Sequence, residues 1–219
     1  MVNPYNNKPK IFCLGLSRTG TTSLARGLEM LGLQVAHFPR SLLVKGSFTP
    51  RLNHGLWSRW QLHRQVKAAR FHNAERMLLE NDVFADLPIP IIYEELDQQF
   101  PASKFIVTSR ETEGWLSSME WLFRDRPDDW SQGPLIDELH FAAYGCTRFD
   151  RQALTKAWEK HEAKLDNYFS GRSSDLLRIN IDQGDLNYPT ICSFLECEIP
   201  NFPFPQVNQR TRPEASNDY

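Results

Sequence analysis

The chain has 219 residues, 41% of them hydrophobic and 24% charged, with a net charge of −2. That length corresponds to one domain with room for a sizeable core, and the near-neutral balance argues against a general nucleic-acid binder, which carries a strongly basic face. No apolar run reaches the ~18 residues of a membrane helix, and residues 1–10 lack the apolar stretch of a secretory signal. The four cysteines (Cys13, Cys146, Cys192 and Cys197) form no C-x-x-C pair, which argues against a zinc site or a disulfide framework. The expectation is a cytoplasmic protein without a metal and without a membrane span; nothing in the sequence fixes its oligomeric state.

In chain order, residues 10–14 are a short apolar run ending at Gly15, the pattern of a fully buried strand. A helix follows, with Leu24, Leu28 and Leu31 on one face and Gly32 as its stop. Residues 33–38 suit a second strand, and residues 83–85 a third, ended by Asp86-Leu87-Pro88. Residues 91–100 read as a helix closed by Pro101, residues 104–108 as a strand rich in β-formers, and residues 112–123 as a helix. A long helix is expected over 154–169, with Leu154, Trp158, His161, Leu165 and Phe169 along one stripe, and a last strand over 176–181. Repeated strand–helix–strand units predict an α/β fold in three layers, with a central parallel sheet and helices on both faces.

Residues 40–74 contain seven Lys and Arg (Arg40, Lys45, Arg51, Arg59, Arg64, Lys67 and Arg70) and no Asp or Glu. Residues 40–76 are expected to be a basic helical insertion or lid within a single 1–219 domain. A solvated helical face and a cationic wall beside an anionic ligand both fit this composition.

The strongest local signal is Gly15-Leu16-Ser17-Arg18-Thr19-Gly20-Thr21-Thr22-Ser23, between an expected strand and an expected helix. There, backbone N–H groups and the helix dipole make an anion site, and glycines permit close backbone approach. The Walker A pattern places lysine after the second glycine; here Thr21 follows Gly20, and Arg18 inside the loop is the cation instead. The loop suits one phosphate or a related oxyanion better than a triphosphate with magnesium. Farther on, residues 104–109 lead to Arg110, and Ser118 stands eight positions later, with Ser117 beside it. An arginine at a strand end presents a fork of donors to a phosphate dianion.

These features resemble the sulfotransferases. In that superfamily a P-K-S-G-T-T loop binds the 5′-phosphosulfate of 3′-phosphoadenosine 5′-phosphosulfate (PAPS), and Ser17-Arg18-Thr19-Gly20-Thr21-Thr22 looks like that loop with Arg18 in the lysine's place. The form G-x-S-R-T-G-T-T-S-L is similar to a branch of small sulfotransferase-like proteins. The resemblance implies a P-loop-like fold, PAPS as sulfuryl donor, and a donor site made of Ser17, Arg18, Thr19, Gly20, Thr21, Thr22 and Ser23, with Arg110 and Ser118 on the 3′-phosphate. Asp86-Leu87-Pro88 falls where cytosolic sulfotransferases carry T-H-L-P with a histidine base. This implies that Asp86, with Arg18, is catalytic and that Asp86 orients or deprotonates the acceptor. Phe204-Pro205-Gln206-Val207-Asn208 resembles the branch's closing F-P-x-x-N tail, after which Arg210 and Arg212 are implied contacts of the 3′-phosphate. Ser23 stands where the cytosolic enzymes have a tryptophan that stacks on adenine.

The implied reaction is PAPS-dependent transfer to a hydroxyl or amine of a small-molecule acceptor, yielding adenosine 3′,5′-bisphosphate. The alternatives are a small-metabolite kinase and a non-catalytic nucleotide-binding protein of the same fold. His161 reads as a core histidine. Asp125, Asp128 and Asp129 read as an exposed turn. Trp121, Phe123 and Trp130 fit either an acceptor pocket or a lid core.

Overall fold

The computed structural model describes residues 9–39, 75–124 and 134–207. The basic stretch 40–74, the acidic turn 125–130 with Trp130, and the tail arginines Arg210 and Arg212 lie outside the described residues.

Five strands, β1 (Ile11–Cys13), β2 (Val35–His37), β3 (Val83–Ala85), β4 (Lys104–Ser109) and β5 (Leu176–Asn180), form one sheet in the order β2-β3-β1-β4-β5. Every pairing is parallel, with Phe12 of β1 registered against Phe84 on one side and Phe105 on the other. Strand alternation sends successive side chains to opposite faces. Phe12, Phe84, Phe105 and Val107 therefore feed one core, and Cys13, Val83, Ala85, Ile106 and Ile179 feed another. Seven α-helices lie among the described residues: α1 (Thr21–Met30), α2 (Glu75–Glu80), α3 (Ile89–Gln99), α4 (Thr112–Arg124), α5 (Pro134–Tyr144), α6 (Arg151–Tyr168) and α7 (Tyr188–Leu195). Leu24 and Leu28 of α1 and Ile191 of α7 cover the second core, while α3, α4, α5 and α6 cover the first through residues such as Ile92, Trp115, Leu139 and Leu154. The result is the expected three-layer α/β architecture.

The expected elements recur with shifted ends. The long helix starts at Arg151 because Asp150 caps it, its carboxylate accepting from the Ala153 amide at 3.0 Å. α3 begins two residues earlier than expected, with Pro90 in its first turn, where a missing N–H costs nothing. Helices α2 and α5 have no counterpart among the expected elements.

The sheet order places the carboxyl ends of β3, β1 and β4 side by side. In open parallel sheets ligands bind outside those ends, at the point where the strand order reverses. The segments leaving β1 (residues 14–20), β2 (Phe38), β3 (Asp86) and β4 (Arg110) all emerge along this edge.

Candidate active site

The loop from β1 to α1 is built around its backbone. Leu14 N–H reaches across to the Ile106 carbonyl at 2.7 Å, which carries the sheet ladder one residue beyond β1. Thr19 turns its hydroxyl inward, donating to the Leu16 carbonyl at 2.7 Å and lying 2.8 Å from the Thr108 hydroxyl. It is fully buried and braces the loop from below. Ser17 is clamped from two helices: its N–H donates to the Tyr144 hydroxyl of α5 at 3.1 Å, and its carbonyl accepts from the Trp115 indole of α4 at 3.0 Å. Burial first, and then the charge of Asp86, push the Tyr144 phenol well above its ordinary range, so it stays protonated.

Gly20 caps α1 in the left-handed region (φ 88°), where a residue without a Cβ is unstrained. No side chain caps that helix and its first turn holds no acidic residue. Among the described residues its first amides therefore lack a side-chain cap, an arrangement that suits an anion. Arg18 also takes a left-handed conformation (φ 71°), a departure that clusters at functional sites because surrounding contacts must hold it. Here those contacts are Ser118 of α4, whose hydroxyl accepts from Arg18 Nε at 3.0 Å, and the Trp121 ring, whose centroid lies 4.8 Å from the guanidinium carbon.

Asp86 leaves β3 in the left-handed region (φ 66°) and turns its carboxylate toward the loop. Oδ1 accepts from the Ser17 hydroxyl at 2.9 Å and from the Leu87 amide at 2.7 Å, while Oδ2 accepts from the Thr21 hydroxyl at 3.4 Å and faces His37 Nε2 at 3.6 Å. Arg110, just beyond β4, lies 3.6 Å from Asp182 through Nη2, and its Nε is buried with no hydrogen-bond partner among the described residues. A buried donor without an acceptor costs about 1–3 kcal/mol, which makes Arg110 a candidate partner for an anion.

The expected site residues that the structure describes fall along one edge, with differences of detail, while Arg210 and Arg212 lie outside the described residues. Ser118 is buried and bonded to Arg18 of the loop, whereas Ser117 is exposed. The Ser23 hydroxyl binds the closing tail, accepting from Val207 N at 2.9 Å and donating to Val207 O at 3.3 Å. Thr22 is partly buried in the first turn of α1. Trp121 and Phe123 pack at the rim of the larger core. His161 Nε2 donates to the Leu14 carbonyl at 2.9 Å, and burial pushes its pKa down to about 4, which keeps the ring neutral. Tyr144, Trp115 and His37 were not among the expected site residues. Tyr144 and Trp115 carry no local motif, and His37 is a single histidine at the end of a short strand.

Similarity to known proteins bears on the family and the fold. The chain is 27% identical over 224 residues to the Ava biosynthesis cluster protein M of Aspergillus versicolor, covering 90% of this chain and 80% of that protein. Its fold is similar to the crystal structure of a sulfotransferase from Alicyclobacillus acidocaldarius, with a TM-score of 0.52 and 17% identity over 94% of this chain and 87% of the other. A mouse sulfotransferase, SULT7A1, complexed with PAP aligns with a TM-score of 0.43 and 14% identity, over 91% of this chain and 63% of that one. The family profile described as Sulfotransferase domain matches residues 10–212, nearly the whole chain. The chain therefore belongs to the sulfotransferase family and is a transferase by that membership.

Proposed function

We propose that the protein transfers a sulfuryl group from PAPS to a hydroxyl or amine of a small-molecule acceptor, and that it belongs to the small branch with the G-x-S-R-T-G-T-T-S-L loop. The observation that carries this reading is a pair of anion positions on neighbouring strands. One is the uncapped N-terminus of α1 beside Arg18, and the other is Arg110 with its buried, unpartnered Nε. A nucleotide with an anionic 5′ group and a 3′-phosphate satisfies both. In this reading Ser17, Arg18, Thr19, Gly20, Thr21, Thr22 and Ser23 form the loop around the 5′-phosphosulfate. Arg110 and Ser118 stand on the 3′-phosphate side, joined by Arg210 and Arg212 of the tail. Arg18 and the loop amides stabilise charge gathering on the oxygens of the transferring group. Asp86, across the loop, serves the acceptor side as the carboxylate toward which the departing proton is drawn. The basic stretch 40–76 belongs to the same domain as a cationic insertion. The four free cysteines suit a reducing compartment, and we place the protein in the cytoplasm.

The test is a calorimetric titration. Adenosine 3′,5′-bisphosphate should bind several-fold or more tighter than adenosine 5′-phosphate, because Arg110 gains a charge-assisted partner worth about 1.5–3 kcal/mol. Equal affinities refute the 3′-phosphate site. Tighter binding of ATP with magnesium favours a kinase.

A further inference from the structure

The Asp86 carboxylate already takes three protein donors. Oδ1 takes the Ser17 hydroxyl and the Leu87 amide; Oδ2 takes the Thr21 hydroxyl and faces His37 Nε2 at 3.6 Å. An ionised carboxylate offers about four lone-pair sites; three take protein donors, and Oδ2 also faces the His37 ring. Little is left for an acceptor hydroxyl to approach. His37 differs: its side chain is 30% exposed against 15% for Asp86, and among the described residues nothing bonds its Nδ1.

The backbone fixes these two residues relative to each other. In the parallel β2–β3 pair His37 is registered against Ala85, and Phe38 N–H donates to the Ala85 carbonyl at 2.8 Å. Phe38 (φ 53°) and Asp86 (φ 66°) both turn into the left-handed region, so the two strands stop at one level. The histidine and the carboxylate therefore face each other across the end of a ladder.

We propose that His37 is the group that receives the acceptor's proton and that Asp86 is the residue that positions it; this rests on the reading of the site as a sulfuryl-transfer centre. Asp86 Oδ2 faces Nε2 and favours the tautomer that keeps its proton there, which leaves the lone pair on Nδ1. The acceptor oxygen forms a bond to sulfur. The bond from sulfur to the bridging phosphosulfate oxygen breaks, and its electron pair leaves with adenosine 3′,5′-bisphosphate. The acceptor's proton passes to Nδ1, and the resulting imidazolium lies against the Asp86 carboxylate.

Two measurements on the full chain test this. The first needs no acceptor. Imidazole nitrogen spectra of the ¹⁵N-labelled protein should show His37 protonated on Nε2. In Asp86→Asn the amide oxygen must still face Ser17 and Leu87, so the NH₂ group faces His37 and the tautomer should reverse. A ring protonated on Nδ1 in the wild type, or one indifferent to Asp86→Asn, overturns the proposal. The second follows radiolabelled sulfate from PAPS to phenol and to a nitro-substituted phenol already ionised at the assay pH. His37→Gln and Asp86→Asn should each slow transfer to phenol by about 10²-fold or more and transfer to the ionised phenol much less. Affinity for adenosine 3′,5′-bisphosphate should stay within about threefold in His37→Gln, and added imidazole should restore part of the rate in His37→Ala. An active wild type with a fully active His37→Gln variant overturns this proposal alone. Failure of the wild type to bind adenosine 3′,5′-bisphosphate overturns the sulfuryl-transfer reading and this proposal with it.

Discussion

Arg18 is held by backbone and side chain at once. A left-handed conformation lifts it out of the loop, Ser118 accepts from its Nε, and the Trp121 ring lies against the guanidinium. Such a preorganised cation matters most where charge develops during transfer, since no reorganisation is needed at that moment. Arg18→Ala is expected to lower the transfer rate by about 10²-fold or more, beyond any loss of nucleotide affinity. Retention of turnover with weaker binding alone would show that Arg18 only binds. The Tyr144 hydroxyl supports the same loop by accepting from the buried Ser17 amide. Tyr144→Phe keeps the ring but strands that N–H, and should cost about 1–3 kcal/mol in denaturant unfolding. A change below about 0.5 kcal/mol would mean that water replaces the phenol.

At the scale of elements, the loop and its neighbours meet at glycines. A Cβ on Gly15 would overlap the Thr108 hydroxyl of β4 and come 2.7 Å from the Thr19 hydroxyl, the pair that braces the loop. Gly15→Ala should therefore destabilise the protein by about 1–3 kcal/mol, the usual cost of overpacking, and weaken nucleotide binding with it. Full stability in thermal melts would contradict this. Gly27 of α1 plays the matching part on the other side, since a Cβ there would enter the Phe204 ring. Phe204 also stacks edge-on against Tyr188 at 4.9 Å, and three residues later Val207 binds Ser23. The closing tail is thereby fastened along α1, the helix whose N-terminus forms the anion site. Gly27→Ala should loosen that tail, raising hydrogen exchange at Val207 while β1 and β4 stay protected; unchanged exchange would show that the ring moves aside at no cost.

Across the whole molecule, the buried His161 makes stability depend on pH. Its pKa is pushed down to about 4 by burial, against 6.5 for the free side chain. Above pH 6.5 both folded and unfolded chains carry it neutral. As the pH falls, the unfolded chain takes up a proton that the folded one refuses until about pH 4, so stability declines across that window. The loss amounts to at most about 3 kcal/mol, at 1.36 kcal/mol per pKa unit. His161→Gln should flatten the dependence of denaturant stability on pH between 6.5 and 4. Parallel curves for the wild type and the variant would contradict the assignment. The same histidine joins α6 to the Leu14 carbonyl at the start of the loop, so the packing of the larger core and the placement of the site are one problem.

Local pattern by itself determined the strands, most of the helices and the phosphate loop, because hydrophobic period and glycine placement act over a few residues and do not depend on distant partners. Val83–Ala85 is apolar enough to be a strand in any context that buries it, and Gly20 ahead of Thr21 starts a helix without needing the sheet. The three-layer class followed from the alternation of elements. Helix α5 escaped because its apolar positions, among them Leu139 and Tyr144, face the core only once α4 and α6 are in place. The strand order was likewise beyond local pattern, because parallel strands are joined through long crossovers that can place a strand on either side. That order decided the site. It set β3 and β4 on the two sides of β1, which brought Asp86 to Ser17 and Arg110 to the same edge. It set β2 beside β3, which brought His37 within 3.6 Å of Asp86 from 49 positions away in sequence. Residue types name the chemistry a chain carries, but only the packing of the sheet decides which of those groups meet.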